Sequence, residues 1–276
     1  MDLFEEIDHQ HPDFGDLYDE LPLWSAPFGL RMLEHVRIGP RLTFLDVGAG
    51  TGFLSIELAQ RCGARSTVHA VDPWGAAARR LRWKLERLAL PNVFVHECDA
   101  ASLPLPDGIV DVVVSNLGIH NFADPAAVLA ECVRVARPGA GFHLTTNLSG
   151  HMREFYDVFR ATLQEAAVPG ATEALDAHVS HRGTLESVES LLRSGGLDVH
   201  KSRADSFTMR FSGGAALLRH WFIRLGFLPA WRDLVPPEYR AHVFALLEAN
   251  LDRVAAGRGE LALSIPVAYV EADKPE

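Results

Sequence analysis

The chain has 276 residues, of which 48% are hydrophobic, enough for one large α/β core with additions or for two smaller cores. Its formal net charge of −10 at pH 7 does not favour a general nucleic-acid binder, because phosphate backbones attract basic surfaces. No apolar run approaches the roughly 20 residues needed to cross a bilayer, so we expect no membrane insertion.

The ends and the cysteines point to a cytoplasmic protein. The acidic segment 1–6 does not resemble a signal or transit peptide. Cys62, Cys98 and Cys132 are odd in number, far apart and without metal-ligand spacing. We therefore expect a reducing compartment, buried thiols and no metal site. These features leave the oligomeric state open.

We expect residues 1–40 to act as an N-terminal cap segment, and we expect the aromatic region 14–28 within it to be poor in helix. From residue 41 to 149, short apolar runs alternate with helical patterns, as in parallel strands covered on both faces. The predicted strands are 42–47, 67–71, 93–96, 110–115 and 142–146. The predicted helices are 53–61, 76–88 and 125–136. This order predicts an open, doubly wound sheet.

The arginine-rich side of the second of these helices is interpreted as a solvated face rather than a nucleic-acid patch. After residue 149 the pattern changes. We predict a helical insertion over 150–182, a core helix and strand over 183–211, a second helical cap insertion over 212–259, and a final strand and tail over 260–276. Helices are predicted at 151–167, 184–193, 215–227 and 238–256, and strands at 197–211 and 261–270.

The segment 45–53, LDVGAGTGF, joins the first strand to the first helix. Gly48, Gly50 and Gly52 allow a tight turn and a close approach of the backbone to a nucleotide-like ligand. The D-x-G-x-G-x-G spacing, which begins at Asp46, differs from the G-x-G-x-x-G of dinucleotide enzymes. Asp72 follows Gly52 by twenty residues and suits a ribose diol, in a spacing that also fits NAD. The alternative is an acid that caps the following helix.

Three further segments follow in order: ECDAASLP (97–104), PDGIVDVVVSN (106–116) and RVARPGAGF (134–142). Together with the glycine loop, they resemble the motifs of the class I S-adenosylmethionine-dependent methyltransferases of small-molecule type, and are similar to the methyltransferase type 11 and quinone-biosynthesis group. The resemblance runs continuously from about residue 42 to residue 146. Cys98 departs from the family's usual glycine.

This resemblance implies a Rossmann-like, seven-stranded sheet whose last strand is antiparallel, with S-adenosylmethionine as the methyl donor. In the family, the glycine loop and the end of the fourth strand face the methionine part, and Asp99 with the next backbone N–H meets the adenine. A tyrosine upstream of the loop either closes over the cofactor or only packs in the N-terminal arm. The residues assigned to the cofactor are Tyr18, Asp46, Gly48, Ala49, Gly50, Gly52, Asp72, Pro73, Asp99, Ala100, Asn116 and Leu117.

In-line methyl transfer needs alignment and exclusion of water, and it needs a base only when the nucleophile arrives protonated. His120, just beyond the fourth strand, is the candidate base, with a structural histidine as the alternative. Helical residues that are candidates for acceptor binding, each with ordinary packing as the alternative, are His151, Tyr156, Arg219 and Trp221. We expect 150–182, 212–259 and the N-terminal forty residues to cover the acceptor.

The sequence therefore predicts an enzyme that moves a methyl group from S-adenosylmethionine to an oxygen, carbon or nitrogen atom of a small organic acceptor. No N-P-P-Y-type segment follows the fourth strand, which disfavours nucleic-acid bases and protein glutamine as acceptors. Two alternatives remain: a catalytically inactive cofactor-binding interaction protein, and an NAD-dependent oxidoreductase with the same doubly wound core.

Overall fold

The computed structural model describes residues 3, 4, 8, 11–19, 24–180 and 182–276, apart from the side chains of Pro12 and His120. One sheet contains the strands β1 (Thr43–Val47), β2 (Thr67–Val71), β3 (Val93–His96), β4 (Val110–Asn116), β5 (Ala136–Asn147), β6 (Asp198–Phe211) and β7 (Leu261–Asp273). Their spatial order is β3-β2-β1-β4-β5-β7-β6, and the last strand runs antiparallel. The predicted fold class is confirmed.

Helices connect these strands. They are α1 (Pro12–Asp19), α2 (Ala26–Leu33), α3 (Phe53–Cys62), α4 (Gly75–Leu88), α5 (Pro125–Val135), α6 (Arg153–Glu165), α7 (Ala171–Ser180), α8 (Leu185–Ser194), α9 (Gly214–Arg219), α10 (Trp221–Gly226), α11 (Leu228–Asp233) and α12 (Pro237–Arg258). Within the described ranges, no helix combines the length and the apolar character that a membrane span requires.

The central strands are parallel and apolar on both faces. β1 pairs with β2 on one side and with β4 on the other. One apolar layer packs the sheet against α3 and α4, with Leu58 and Leu81 buried in it. The opposite layer packs it against α5 and α8, with Leu129 and Leu192 buried. Burial on both faces explains why the strands read as nearly continuous hydrophobic runs.

The chain divides into two compact units, each assembled from separate segments. The core unit consists of Asp8–Thr146, Thr184–Ala204 and Val267–Glu276. The second unit contains Asn147–Gly183 and Asp205–Pro266, together with Leu3 and Phe4. In the second unit, α12 packs on α6 and α9, and the rings of Phe155 and Trp231 stack with centroids 4.0 Å apart.

Three local predictions were wrong, and one helix inside the predicted helical insertion 150–182 was missed. The N-terminal stretch is not poor in helix, because it forms α1 and α2. The helix α7 was not predicted. The predicted helix 215–227 is instead divided into α9 and α10, because His220 leaves the helical conformation. Phe227 then separates α10 from α11. β5 begins six residues earlier than predicted, at Ala136, where it pairs with Val110 beside an irregularity in the register.

Candidate functional site

The glycine loop leaves β1 and is attached to the end of the neighbouring strand. The backbone N–H groups of Gly48 and Ala49 both donate to the carbonyl oxygen of Val71, at 2.9 and 3.1 Å. Gly52 then precedes the first turn of α3 in a left-handed conformation (φ 92°). The loop therefore lies at the carboxyl end of the parallel strands, where open α/β sheets bind ligands.

The glycines of this loop serve different purposes. A Cβ atom added to Gly50 would have no heavy atom within 4 Å, so the space beside this residue is open. A Cβ atom on Gly52 would lie 2.1 Å from Cδ1 of Leu81, so Gly52 is needed for the packing of α3 on α4. Gly50 therefore fits the close approach of a ligand, whereas Gly52 fits an internal contact.

Asp72 connects the end of β2 to this loop. Its Oδ2 accepts the N–H of Gly50 and its Oδ1 accepts the N–H of Trp74, each at 2.8 Å. Burial raises the pKa of the Asp72 carboxyl, and these two N–H donors act in the opposite direction. The carboxylate is thus held in one orientation beside the open space at Gly50. We call residues 48–52 together with Asp72 the cradle.

Asp46 lies beneath the loop and away from solvent. Its side chain is 1% exposed, and its Oδ2 accepts the hydroxyl of Ser55 at 2.6 Å. Burial raises the pKa of Asp46 to about 7, with a further contribution from the negative charge of Asp72. The first acid of the motif is therefore an interior group that holds the start of α3.

Tyr18 brings α1 next to the cradle. Its ring lies edge-on to Trp74, with centroids 5.4 Å apart, and Phe14 packs on the same indole at 5.4 Å. Burial raises the pKa of Tyr18, and the charge of Asp72 raises it further. Tyr18 is thus close enough to the cradle to act as the predicted cover.

The arginine-rich side of α4 is covered in part by α1, which corrects the interpretation of a solvated face. Asp19 accepts hydrogen bonds from Arg80 at 2.9 Å and from Lys84 at 2.7 Å. Asp16 lies 3.5 Å from Arg79. These acids come from a helix that the composition of the N-terminal stretch did not predict.

The residues that are predicted to contact the adenine, Asp99 and Ala100, lie in the turn after β3. Asp99 is exposed, and its Oδ1 accepts the N–H of Ala101 at 2.9 Å. Ala100 is buried, whereas Pro73, after β2, is exposed. The turn-forming role of Asp99 occupies one carboxylate oxygen.

Asn116, at the end of β4, is fixed from two sides. Its Oδ1 accepts the hydroxyl of Thr145 at 2.6 Å, and its Nδ2 donates to the carbonyl oxygen of Ser25 at 3.1 Å. A Cβ on Gly29 of α2 would lie 2.4 Å from the ring of Phe53, so α2 packs closely on the start of α3. Ser25 and Gly29 were missed in the sequence, where a glycine inside an apolar helical run was the available signal.

Leu117 follows with a positive φ of 65°. A helical turn over Ile119–Asn121 comes next and contains the backbone of His120. The His120 side chain lies outside the described part of the structure, so its role as a base stays a prediction.

The candidate acceptor residues all fall in the second unit. Tyr156 is buried, its oxygen accepts the indole N–H of Trp231 at 3.2 Å, and it lies 3.3 Å from Nε2 of His178. His151 is 2% exposed and stacks on Phe227 at 5.4 Å. Burial holds the pKa of His151 well below its usual range. Both side chains therefore belong to the aromatic interior of this unit.

The other two candidates, Arg219 and Trp221, differ in the partners of their polar atoms. Arg219 is ion-paired with Glu248 at 2.8 Å. Trp221 has the guanidinium of Arg224 5.1 Å above its ring. Its buried indole nitrogen has no hydrogen-bond partner among the described residues. Trp221 therefore has a buried donor that no described residue uses.

Comparison with known proteins identifies methyltransferases as similar to this chain. The model of a family described as a methyltransferase domain matches residues 45–144. Nocamycin O-methyltransferase of Saccharothrix syringae is 29% identical over 255 residues, which cover 88% of this chain and 89% of that protein.

Two further comparisons cover the core and the fold. A ubiquinone/menaquinone biosynthesis C-methyltransferase of Burkholderia cenocepacia is 32% identical over 109 residues, or 39% of this chain and 44% of the relative. The crystal structure of the YcgJ protein of Bacillus subtilis superposes with a TM-score of 0.58 and 15% identity, covering 90% of this chain and 98% of that one. This last similarity concerns the fold alone.

Proposed function

We propose that this chain, which belongs to the class I S-adenosylmethionine-dependent methyltransferases, transfers the methyl group to an oxygen atom of a small organic acceptor. The use of S-adenosylmethionine and the methyltransferase activity are the premises. The choice of oxygen, the acceptor and the role of each residue are the proposal. The comparisons do not favour a dehydrogenase or an inactive binding protein.

The main support for this cofactor site is the hydrogen bond from the N–H of Gly50 to the carboxylate of Asp72. A carboxylate held by two backbone N–H groups lies directly beside open space at a glycine with positive φ. Each Asp72 oxygen keeps lone-pair capacity beyond the one N–H that it accepts. We assign Asp72 to the ribose hydroxyls and Gly50, with Gly48 and Ala49, to the methionine part.

The remaining cofactor residues are assigned by their positions around the cradle. Asp99 and Ala100 would meet the adenine, with Pro73 beside it. Asn116 and Leu117 would present the end of β4 to the methionine part. Tyr18, packed on Trp74, would cover the ribose side.

When bound, S-adenosylmethionine supplies an electrophilic methyl group on a cationic sulfur. The chain must bring an acceptor atom into line with that group and keep water from the path. We assign proton removal from the acceptor to His120, whose backbone lies in the turn after β4. For an acceptor that is already an anion, alignment alone is sufficient.

Oxygen is favoured because a relative that matches 88% of the chain is named an O-methyltransferase. The relative named a C-methyltransferase matches less than half of its own length, so it informs mainly on the core. We also propose that nucleic acid is not the acceptor. In support, acids from α1 pair with Arg79, Arg80 and Lys84 on the most basic helix.

We further propose a cytoplasmic site of action, which the three free cysteines support. Calorimetry with S-adenosylmethionine, S-adenosylhomocysteine and NAD tests the donor, and preference for NAD would overturn the proposal. A screen for S-adenosylhomocysteine release with phenols, enols, carboxylic acids, carbon nucleophiles and amines tests the acceptor. We expect turnover with an oxygen nucleophile. Turnover confined to amines or to carbon nucleophiles would refute the choice of oxygen.

A further inference from the structure

Leu117 has a backbone conformation that is costly for its side chain. Its φ of 65° lies in the left-handed region, which bulky residues rarely occupy. Apart from Arg41, which lies in the turn before β1, the other described non-glycine residues with positive φ are Ala89 at the end of α4, Ala167 after α6 and Met152 before it. Ala89 and Ala167 lie at the C-terminal ends of helices, where such geometry is common. Leu117 instead ends a central strand, at the edge of the sheet that carries the site.

Hydrogen bonds on both sides hold Leu117 in this conformation. Its N–H donates to the carbonyl oxygen of Thr145 at 2.9 Å, which continues the β4–β5 pairing. Its own carbonyl oxygen accepts Nδ2 of Asn121 at 3.1 Å. The N–H of Asn121 donates to the carbonyl oxygen of Gly118 at 2.8 Å. Asn121 therefore closes the turn that the left-handed residue opens.

The turn brings Gly118 against the cradle. A Cβ added to Gly48 would lie 3.5 Å from Cα of Gly118. A Cβ added to Gly118 would lie 2.6 Å from Oγ of Ser115 and 3.1 Å from the carbonyl oxygen of Val47. The backbone after β4 thus packs directly on the backbone after β1. An extended residue at position 117 would send the chain elsewhere and leave the cradle without this wall.

We propose that Leu117 and Asn121 are positioning residues for methyl transfer. The left-handed turn at Leu117, held by the amide of Asn121, closes the cradle on the β4 side and fixes the turn that contains His120. Strained conformations of this kind persist where the surroundings enforce them, and they cluster at functional sites. The inference rests on the proposed function, because it treats the cradle as the cofactor site.

The experiment compares substitutions at two left-handed residues of the core unit. Glycine tolerates a positive φ, whereas a β-branched residue resists it. Leu117→Val and Leu117→Gly are therefore measured beside Ala89→Val and Ala89→Gly at the end of α4. For each protein, calorimetry gives the affinity for S-adenosylhomocysteine and thermal unfolding gives Tm. Asn121→Asp retains the shape of the side chain, but when ionised it cannot donate to the Leu117 carbonyl oxygen. This variant therefore tests the turn without changing Leu117 itself.

We expect Leu117→Val to weaken S-adenosylhomocysteine binding by about tenfold or more, and Leu117→Gly to remain within about threefold of wild type. Ala89→Val should lower Tm without changing this affinity, and Asn121→Asp should weaken binding by about threefold to tenfold. Wild-type affinity in Leu117→Val or in Asn121→Asp would overturn the inference, as would equal losses of affinity in Leu117→Val and Ala89→Val. If Leu117→Val fails to fold, Asn121→Asp decides. Absence of binding by the wild type would instead overturn the proposed cofactor site, and the inference with it.

Discussion

The Oδ2 atom of Asp72 accepts the backbone N–H of Gly50 at 2.8 Å, so the acid after β2 fixes the shape of the loop after β1. We expect Asp72→Ala to weaken S-adenosylhomocysteine binding by about 2–4 kcal/mol, because a ribose acceptor and the loop anchor are lost together. Calorimetry measures the effect, and circular dichroism checks the fold.

Asp111→Ala is the matched control for this substitution. Its Oδ2 also accepts a backbone N–H at 2.8 Å, from Thr43, but at the opposite end of the same strands. We expect this variant to lose stability and retain cofactor affinity. Similar losses of affinity in both variants would mean that Asp72 acts through the fold alone.

Because their surroundings differ, substitution by alanine is expected to reduce mainly cofactor affinity at Gly50 and mainly stability at Gly52. Gly50→Ala adds a methyl group to open space, at a backbone cost of about 1–2 kcal/mol, and should sharply reduce cofactor affinity. Gly52→Ala drives a methyl group into Leu81 and should lower stability by about 2–4 kcal/mol. Denaturant unfolding and calorimetry on both variants separate the two effects. If Gly50→Ala binds the cofactor normally, the ligand does not approach this residue.

The buried acid Asp46 predicts a pH dependence of stability. Burial raises its pKa from 3.8 to about 7, so between these values the folded protein binds a proton that the unfolded chain has released. The contribution of this group to the free energy of unfolding therefore falls as pH rises from 4 to 7. Asp46→Asn should gain stability relative to wild type across this range, by up to about 4 kcal/mol.

Urea unfolding at pH 4.5, 6 and 8 measures this gain. Asp198→Asn, at the exposed start of β6, serves as the control for removing a carboxylate from the core unit. A stability difference between Asp46→Asn and wild type that stays constant with pH would show that Asp46 is ionised throughout.

Two adjacent threonines of β5 are expected to differ in how valine substitution changes stability. Both Thr145 and Thr146 are fully buried. The hydroxyl of Thr145 donates to Asn116 at 2.6 Å, whereas that of Thr146 has no hydrogen-bond partner in the described part of the chain. Thr145→Val should cost about 1–2 kcal/mol, and Thr146→Val should be neutral or raise Tm. Thermal unfolding of the pair decides, and a large loss from Thr146→Val would reveal a partner for its hydroxyl.

The assignment of His120 as a base predicts a kinetic effect without a binding effect. With a protonated acceptor, His120→Gln should lower kcat by about 100-fold or more, while the affinity for S-adenosylhomocysteine stays within about twofold. An unchanged rate at every pH would remove His120 from the chemistry.

The parts of the fold that depend on local pattern were predictable. β2 and β3 begin and end at the predicted residues, because a parallel strand buried on both faces is a continuous apolar run. The glycine loop and Asp72 were found because their spacing is set by the turn itself. The structure adds that Asp72 both accepts the N–H of the helix-capping Trp74 and anchors the loop, so the helix-capping alternative and the ligand-binding role are compatible.

The parts that depend on distant contacts were not predictable. α1 is tied to α4 through Asp19, sixty-one residues before its partner Arg80, and no local pattern indicates this pairing. Asn116 donates to the carbonyl of Ser25 across 91 residues. The left-handed backbone of Leu117 is equally hidden, because leucine gives no signal for positive φ. These features depend on distant contacts or on backbone geometry that the local sequence does not reveal.

The position of β7 has a consequence for synthesis on the ribosome. This strand is translated after the other six but lies between β5 and β6, and Val267–Glu276 belong to the core unit. The nascent chain therefore exposes the glycine loop, Asp72 and five parallel strands long before the sheet is complete. Until Leu261 and its successors emerge, the hydrogen-bonding edge of β5 has no native neighbour. A pause in translation after β6 would extend the time in which this edge is open to aggregation or to a chaperone.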